Sequence, residues 1–157
     1  MLITLASIDD SAAVLDLQKL AYQSEASIYN DFGLPPLTET LEDFRSQFSS
    51  RVVLKAVDQG RIIGSVRAYE DEKTCYIGRL IVHPDYQRQG IGTQLMNQIE
   101  ASFGAAERFE LFTGHRSANA IRLYERLGYK VFSQEPVHDR LTLVFLEKRR
   151  RGEGPVL

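Results

Sequence analysis

The chain opens on a short apolar run, Leu2 to Leu5, enough for an edge strand. Ser7, Asp9 or Asp10 can cap the helix that Val14, Leu17, Leu20 and Ala21 then predict. Gln23 to Leu37 mixes polar and aromatic residues and ends on Pro35-Pro36, a pair that breaks helix, so it reads as a structured loop. Thr38 can cap a second helix, with Leu41, Phe44 and Phe48 on one face, ending near Ser49. From Arg51 the period changes to that of strands. Val52 to Val57, a turn at Asp58-Gln59-Gly60, Ile62 to Tyr69, a turn at Asp71-Glu72-Lys73 and Thr74 to Val82 predict three consecutive antiparallel strands, stopped at His83-Pro84-Asp85. A helix follows from Gly92 to about Phe103, with Leu95, Met96, Ile99 and Phe103 on one stripe, then a strand at Phe109 to Thr113 and a helix at Ala118 to Leu127 closed by a left-handed Gly128. The chain ends in a hairpin of Tyr129 to Ser133 and Leu141 to Leu146 linked around Pro136.

This order predicts an α/β protein of the α+β type, with a mixed, mostly antiparallel central sheet and helices on both faces. The middle strands lack crossover helices, which excludes a TIM barrel and a doubly wound Rossmann domain. Composition adds bounds: 157 residues fit a single domain, assigned here to residues 1–148 with a basic tail at 149–157. A formal net charge of −2 argues against general nucleic-acid binding, and Arg149-Arg150-Arg151 alone would need salt-dependent binding to support it. Cys75 is the only cysteine, so intrachain disulfides are excluded and a reducing, cytoplasmic setting is expected. No signal-like start and no run of about 20 apolar residues is present, so no membrane association is expected.

The segment richest in chemistry is Ile81-Val82-His83-Pro84-Asp85-Tyr86-Gln87-Arg88-Gln89-Gly90-Ile91-Gly92, a strand emptying into a glycine-bearing turn that opens a helix. Free N–H groups at such a helix start, with about half a positive charge from the dipole, suit an anion, and Gly90 and Gly92 let it approach the backbone. No GK[ST] follows, which excludes a P-loop, and Thr93-Gln94-Leu95 breaks the dinucleotide fingerprint. A tight turn that binds nothing accounts for the glycines alone equally well.

The whole segment resembles motif A of the GNAT superfamily of N-acetyltransferases, [Q/R]-x-x-G-x-[G/A], which reads here Gln87-Arg88-Gln89-Gly90-Ile91-Gly92 behind a strand-and-proline lead-in. Downstream, Asn119 to Tyr129, with Tyr124 on a helix ending in Gly128-Tyr129, resembles the family's motif B. The resemblance covers about Arg51 to Leu146. It implies a GNAT-like fold with the sheet splayed at the cofactor site, and acetyl-CoA as cosubstrate. It further implies that amides of Gln87, Arg88, Gln89, Gly90, Ile91, Gly92 and Thr93 hold the pyrophosphate, and that Leu80, Ile81 and Val82 pair with the pantetheine arm as an added strand. Asn119 would bond the arm, and Tyr124 would protonate the departing thiolate. Packing is the competing role for Tyr124, since Ile121, Tyr124 and Leu127 share a helical stripe.

The general base is open between Glu70, at the end of a central strand, Glu25, before Pro35-Pro36, and ordered water; either glutamate can equally be a solvated carboxylate. His83, His115 and His138 lack metal-ligand spacing, so no metal is expected, and Ser65 lacks the context of a nucleophile. The expected reaction is acetyl transfer from acetyl-CoA to a primary amine, of a small molecule or a peptide, by direct attack in a ternary complex. The alternative is a non-catalytic acyl-CoA-binding regulator on the same scaffold. Tyr22, Glu25, Tyr29 and Phe32 are the expected acceptor wall, with packing of their loop onto the core as the equal alternative. A homodimer stands among the partner expectations because relatives commonly dimerise, with no interface identified.

Overall fold

The computed structural model describes residues 1–150. Seven strands form one sheet in the order β1-β2-β3-β4-β5-β7-β6: β1 Leu2–Leu5, β2 Val52–Asp58, β3 Arg61–Asp71, β4 Thr74–Val82, β5 Arg108–Gly114, β6 Lys130–His138 and β7 Leu141–Arg149. All neighbours are antiparallel except β4 and β5. The helices are α1 Ser11–Ala21, α2 Gln23–Tyr29, α3 Pro35–Thr38, α4 Leu41–Gln47, α5 Ile91–Ala101 and α6 Ala118–Arg126.

Alternation along β3 sends consecutive side chains to opposite faces. Ile63 joins the main core with Leu95, Met96 and Ile99 of α5 and Tyr124 of α6, while Ile62 packs against a smaller cluster of Val14 and Leu15 from α1 and Phe44 from α4. Each fully buried aliphatic side chain of the α5 stripe stabilises the fold by roughly 1.5–3 kcal/mol.

Four local expectations are corrected. The stretch after Gln23 is not a loop: α2 runs to Tyr29, burying Ala26 and Tyr29, which lie three apart on one face. Pro35 and Pro36 begin α3 rather than break a helix, because in a first turn the missing N–H has no partner to lose. The cap of α4 is Thr40, whose Oγ1 accepts from the Asp43 amide at 3.1 Å, whereas Thr38 finishes α3. At the other end, β6 continues through Pro136, tolerated at the sheet edge beside a register shift between Pro136 and His138.

The basic run near the end is partly structural, and β7 continues to Arg149, past the strand end expected at Leu146. Lys148 meets Glu100 at 2.8 Å, and Arg150 donates to the carbonyls of Ala106 at 2.7 Å and Phe103 at 2.6 Å. Arg151 and the rest of the expected tail lie outside the described residues.

Two irregularities in β4 shape the site. Ser65 faces Ile81 but Arg67 faces Gly78, so β4 carries one extra residue there, a bulge in which Arg79 takes φ 52°. The pairing of β4 with β5 stops after three residue pairs, Thr74 with Arg108, Cys75 with Phe109 and Tyr76 with Glu110. Beyond Tyr76 the two strands diverge.

Candidate active site

A cavity of about 1030 Å³ fills the gap between β4 and β5. One wall is β4 from Ile77 to Val82; the other is β5 from Leu111 to Gly114, continuing into Arg116 to Tyr124. From Ile77 onward the edge of β4 facing β5 has no strand partner, so backbone donors and acceptors are available along it.

At the outer end stands the glycine loop. Gly90 occupies the position before α5 with φ 78°, a left-handed conformation that glycine adopts at little cost, and its carbonyl accepts the first helical bond from Gln94 at 3.1 Å. Arg88 is also left-handed, at φ 62°. The amides of the first turn of α5 therefore lack intrahelical partners and border the cavity at Ile91, Gly92 and Thr93. A Cβ on Gly92 would come within 3.3 Å of Leu123 on α6, so this glycine sets how closely the two helices approach. Gln87 and Arg88 line the cavity, but Gln89 does not; it borders a separate shallow pocket with Met1 and Asp58.

Five arginines line the cavity, Arg79, Arg88, Arg116, Arg122 and Arg126, against two carboxylates, Glu25 and Asp31. That balance suits a polyanionic ligand. Asn119 is also in the wall, its Oδ1 accepting from Arg122 at 2.5 Å.

Deeper in, Tyr124 borders the cavity while 8% exposed, and burial, followed by Tyr22 and Glu25, raises its phenol well above its ordinary range. It therefore stays protonated throughout the neutral range. Its ring also packs in the core, 6.1 Å from Tyr129, so the packing and cavity roles suggested by the sequence coexist.

The two candidate bases part company. Glu70 is an exposed residue of β3 opposite Cys75 and absent from the cavity wall, whereas Glu25, brought in by α2, faces the cavity. The Glu25 Oε2 accepts from Ser117 Oγ at 2.5 Å, Ser117 Oγ lies 2.8 Å from Tyr29 Oη, and Tyr29 Oη accepts from the Arg116 amide at 2.9 Å. Since the Ser117 proton goes to Glu25, the Tyr29 proton must go to Ser117. The chain of bonds thus runs one way, from backbone amide to carboxylate.

Ser117 occupies the N-cap position of α6 but makes no cap bond, its hydroxyl being given to Glu25. A serine before a helix is ordinarily read as a cap, which concealed this role. Tyr29 is 2% exposed and fills the space that a Cβ on Gly114 would need. Phe32, expected in the acceptor wall, is 59% exposed and does not line the cavity, whereas Tyr22 and Tyr29 do. Among the described residues, no group of three or more His, Cys, Asp and Glu side chains could hold a metal ion, and no helix is long and apolar enough to cross a membrane.

The profile of the acetyltransferase (GNAT) family matches residues 13–129. The chain belongs to this family. Its fold is that of GNAT N-acetyltransferases: the ribosomal-protein-S18-alanine N-acetyltransferase of Escherichia coli superposes with a TM-score of 0.79 at 19% identity, covering 99% of each chain. PaiA N-acetyltransferase of Thermoplasma acidophilum, in complex with coenzyme A, gives 0.78 at 16% identity, covering 96% of this chain and 100% of its own. Among curated proteins the chain is similar to UPF0157 protein YqkA of Bacillus subtilis (strain 168), 29% identical over 117 residues, 74% of this chain and 34% of the relative. The chain thus spans about a third of that relative's length.

Proposed function

We propose that this chain is an acetyl-CoA-dependent N-acetyltransferase acting on a primary amine, with residues 1–148 as its single catalytic domain and acetyl-CoA as its cosubstrate. The observation that carries the reading is the divergence of β4 from β5 beside the loop at Gly90, which puts an unpartnered strand edge and unpartnered helix amides on one cavity. That combination fits a ligand with an extended amide-bearing arm and a pyrophosphate. Acetyl-CoA supplies an activated thioester carbonyl.

In this reading the amides of the Gln87 to Thr93 loop hold the pyrophosphate, leaving Gln89 to shape the turn. Leu80, Ile81 and Val82 align the arm, Asn119 bonds it, and Arg88, Arg122 and Arg126 offset its phosphate charge. Glu25, oriented by Ser117, takes the proton the amine must lose as it attacks directly in the ternary complex. Tyr124 holds the proton that the departing sulfur requires. The buried thiol of Cys75 fits a reducing cytoplasmic compartment.

The test is calorimetric titration with acetyl-CoA followed by an amine panel monitored by CoA release. Binding with turnover of at least one amine is expected. Absence of acetyl-CoA binding would refute the site, and tight binding without turnover across the panel would support the regulator.

A further inference from the structure

Behind the cavity wall at Arg79 lies a charge that acetyl transfer does not use. Glu39, at the end of α3, is buried to 7% side-chain exposure and is already engaged: Gln18 Nε2 donates to Oε1 at 2.9 Å, and Arg67 Nη2 lies 3.2 Å from both oxygens. Burial alone would push the Glu39 carboxyl up, yet the Gln18 bond and the charges of Arg67 and Arg79 hold it below its ordinary value. One carboxylate therefore serves two arginines.

Arg79 is the one left over. Its Nε stands 3.7 Å from Glu39, beyond hydrogen-bond distance, and is buried with no partner among the described residues. Buried donors are rarely left without a hydrogen bond, even beside an opposite charge. The backbone is strained at the same residue, since φ 52° is uncommon for a side chain of this size. Strain and a guanidinium with an unbonded Nε thus coincide on a residue of the cavity wall. Arg79 and Glu25 also act on one hydroxyl: burial raises the Tyr22 phenol, Arg79 lowers it and Glu25 raises it. Tyr22, Glu25 and Arg79 all border the cavity.

We infer that Arg79 recognises an anion on the acceptor, so that the preferred amine carries a carboxylate close to the nitrogen being acetylated. The inference rests on the proposed transfer reaction. A carboxylate accepts two parallel bonds from a guanidinium, and Arg79, its side chain 22% exposed, borders the cavity with Nε turned toward Glu39. Amines bearing only positive charge would offer the guanidinium no such partner and add repulsion. The carboxylate can come from a free amino acid or from an acidic residue beside a peptide's amino terminus.

The experiment compares matched acceptors: ornithine with putrescine, phenylalanine with phenethylamine, and two tetrapeptides differing only in aspartate or asparagine at the second position. Specificity is read as kcat/KM from CoA release and affinity by calorimetry in the presence of CoA. The proteins are wild type, Arg79→Asn, which tolerates the left-handed backbone, and Arg79→Lys, which keeps charge but loses the fork. Wild type should favour the carboxylate-bearing member of at least one pair by about tenfold to a hundredfold. That ratio should fall close to one in Arg79→Asn and part-way in Arg79→Lys, with acetyl-CoA affinity reporting that the site is folded. The pair that responds identifies the source of the carboxylate. Equal specificity within every pair in wild type, or a preference that survives both substitutions, overturns the inference while leaving acetyl transfer standing. Carboxylate-selective, Arg79-dependent binding without CoA release from any acceptor does the reverse, upholding the anion site and refuting transfer.

Discussion

Ser117 Oγ donates a 2.5 Å hydrogen bond to Glu25 Oε2 across 92 positions of sequence, fastening α2 to the start of α6 at the mouth of the cavity. Of the two glutamates that the sequence offered as base, this bond singles out the one whose carboxylate is oriented by a neighbour. Glu25→Gln should lower turnover about a hundredfold or more, the usual range for a general base. Ser117→Ala, which removes only the orienting bond, should cost less. Equal and small losses in the two variants, measured by single-turnover CoA release, would return the role to water.

Tyr124→Phe retains the ring packed against Tyr129 and deletes the hydroxyl. Turnover should fall by roughly a hundredfold to ten-thousandfold, about 3–5 kcal/mol of barrier, with little change in acetyl-CoA affinity. Turnover within about twofold of wild type, with chemistry rate-limiting, would assign the residue to packing alone.

Gly92→Val places branched carbons where a Cβ already meets Leu123 at 3.3 Å. The start of α5 must shift, and calorimetry should show strongly weakened acetyl-CoA binding in a folded variant. Unchanged affinity would remove the loop from the pyrophosphate site.

Much of this architecture is visible in the chain itself. Strands β2, β3 and β4 stand out because Val52 to Val82 alternates between two short turns, and α5 because Leu95, Met96 and Ile99 form an uninterrupted stripe. The helix α2 is hidden because seven residues with only Ala26 and Tyr29 buried make too few repeats for a period. The bulge at Arg79 is hidden for another reason: left-handed backbone is usually marked by glycine, yet Gly78 beside it does not carry the positive φ. Pairings such as Glu25 with Ser117, or Glu39 with Arg67, arise only when distant elements meet, so no local pattern announces them. Glu70 illustrates the converse, since its place at a strand end was legible but not the direction of the cavity.

Gly114→Ala tests the seat of Tyr29, whose ring occupies the space the new methyl would need. The ring must move, breaking its bonds to Ser117 and the Arg116 amide. A loss of about 1–3 kcal/mol in urea unfolding is expected, as for overpacking elsewhere. Wild-type stability with normal turnover would show that the network is dispensable.

The Cys75 thiol is fully buried and pushed up to about 12, first by burial and then by Glu70 and Glu100. Its native form keeps its proton where the unfolded chain, near 9.0, loses it, so stability should decline as pH rises from 9.0 toward 12. Urea midpoints across that window should fall more steeply in wild type than in Cys75→Ala. A thiol reagent at pH 8 should label the unfolded chain and spare the native one; equal labelling rates would contradict the burial.

The sheet is joined across its middle by only the three pairs between Thr74–Tyr76 and Arg108–Glu110. Mechanically it is a pair of tongs: one jaw is β1 to β4, the other β5 to β7, and the pivot lies at the end remote from the loop at Gly90. Widening the gap would leave the hydrogen bonds inside each jaw intact but would have to break the clasp at the mouth, the bonds from Ser117 to Glu25 and from Arg140 to the Tyr29 carbonyl. A ligand lying along the edge of β4 would be one more bridge between the jaws.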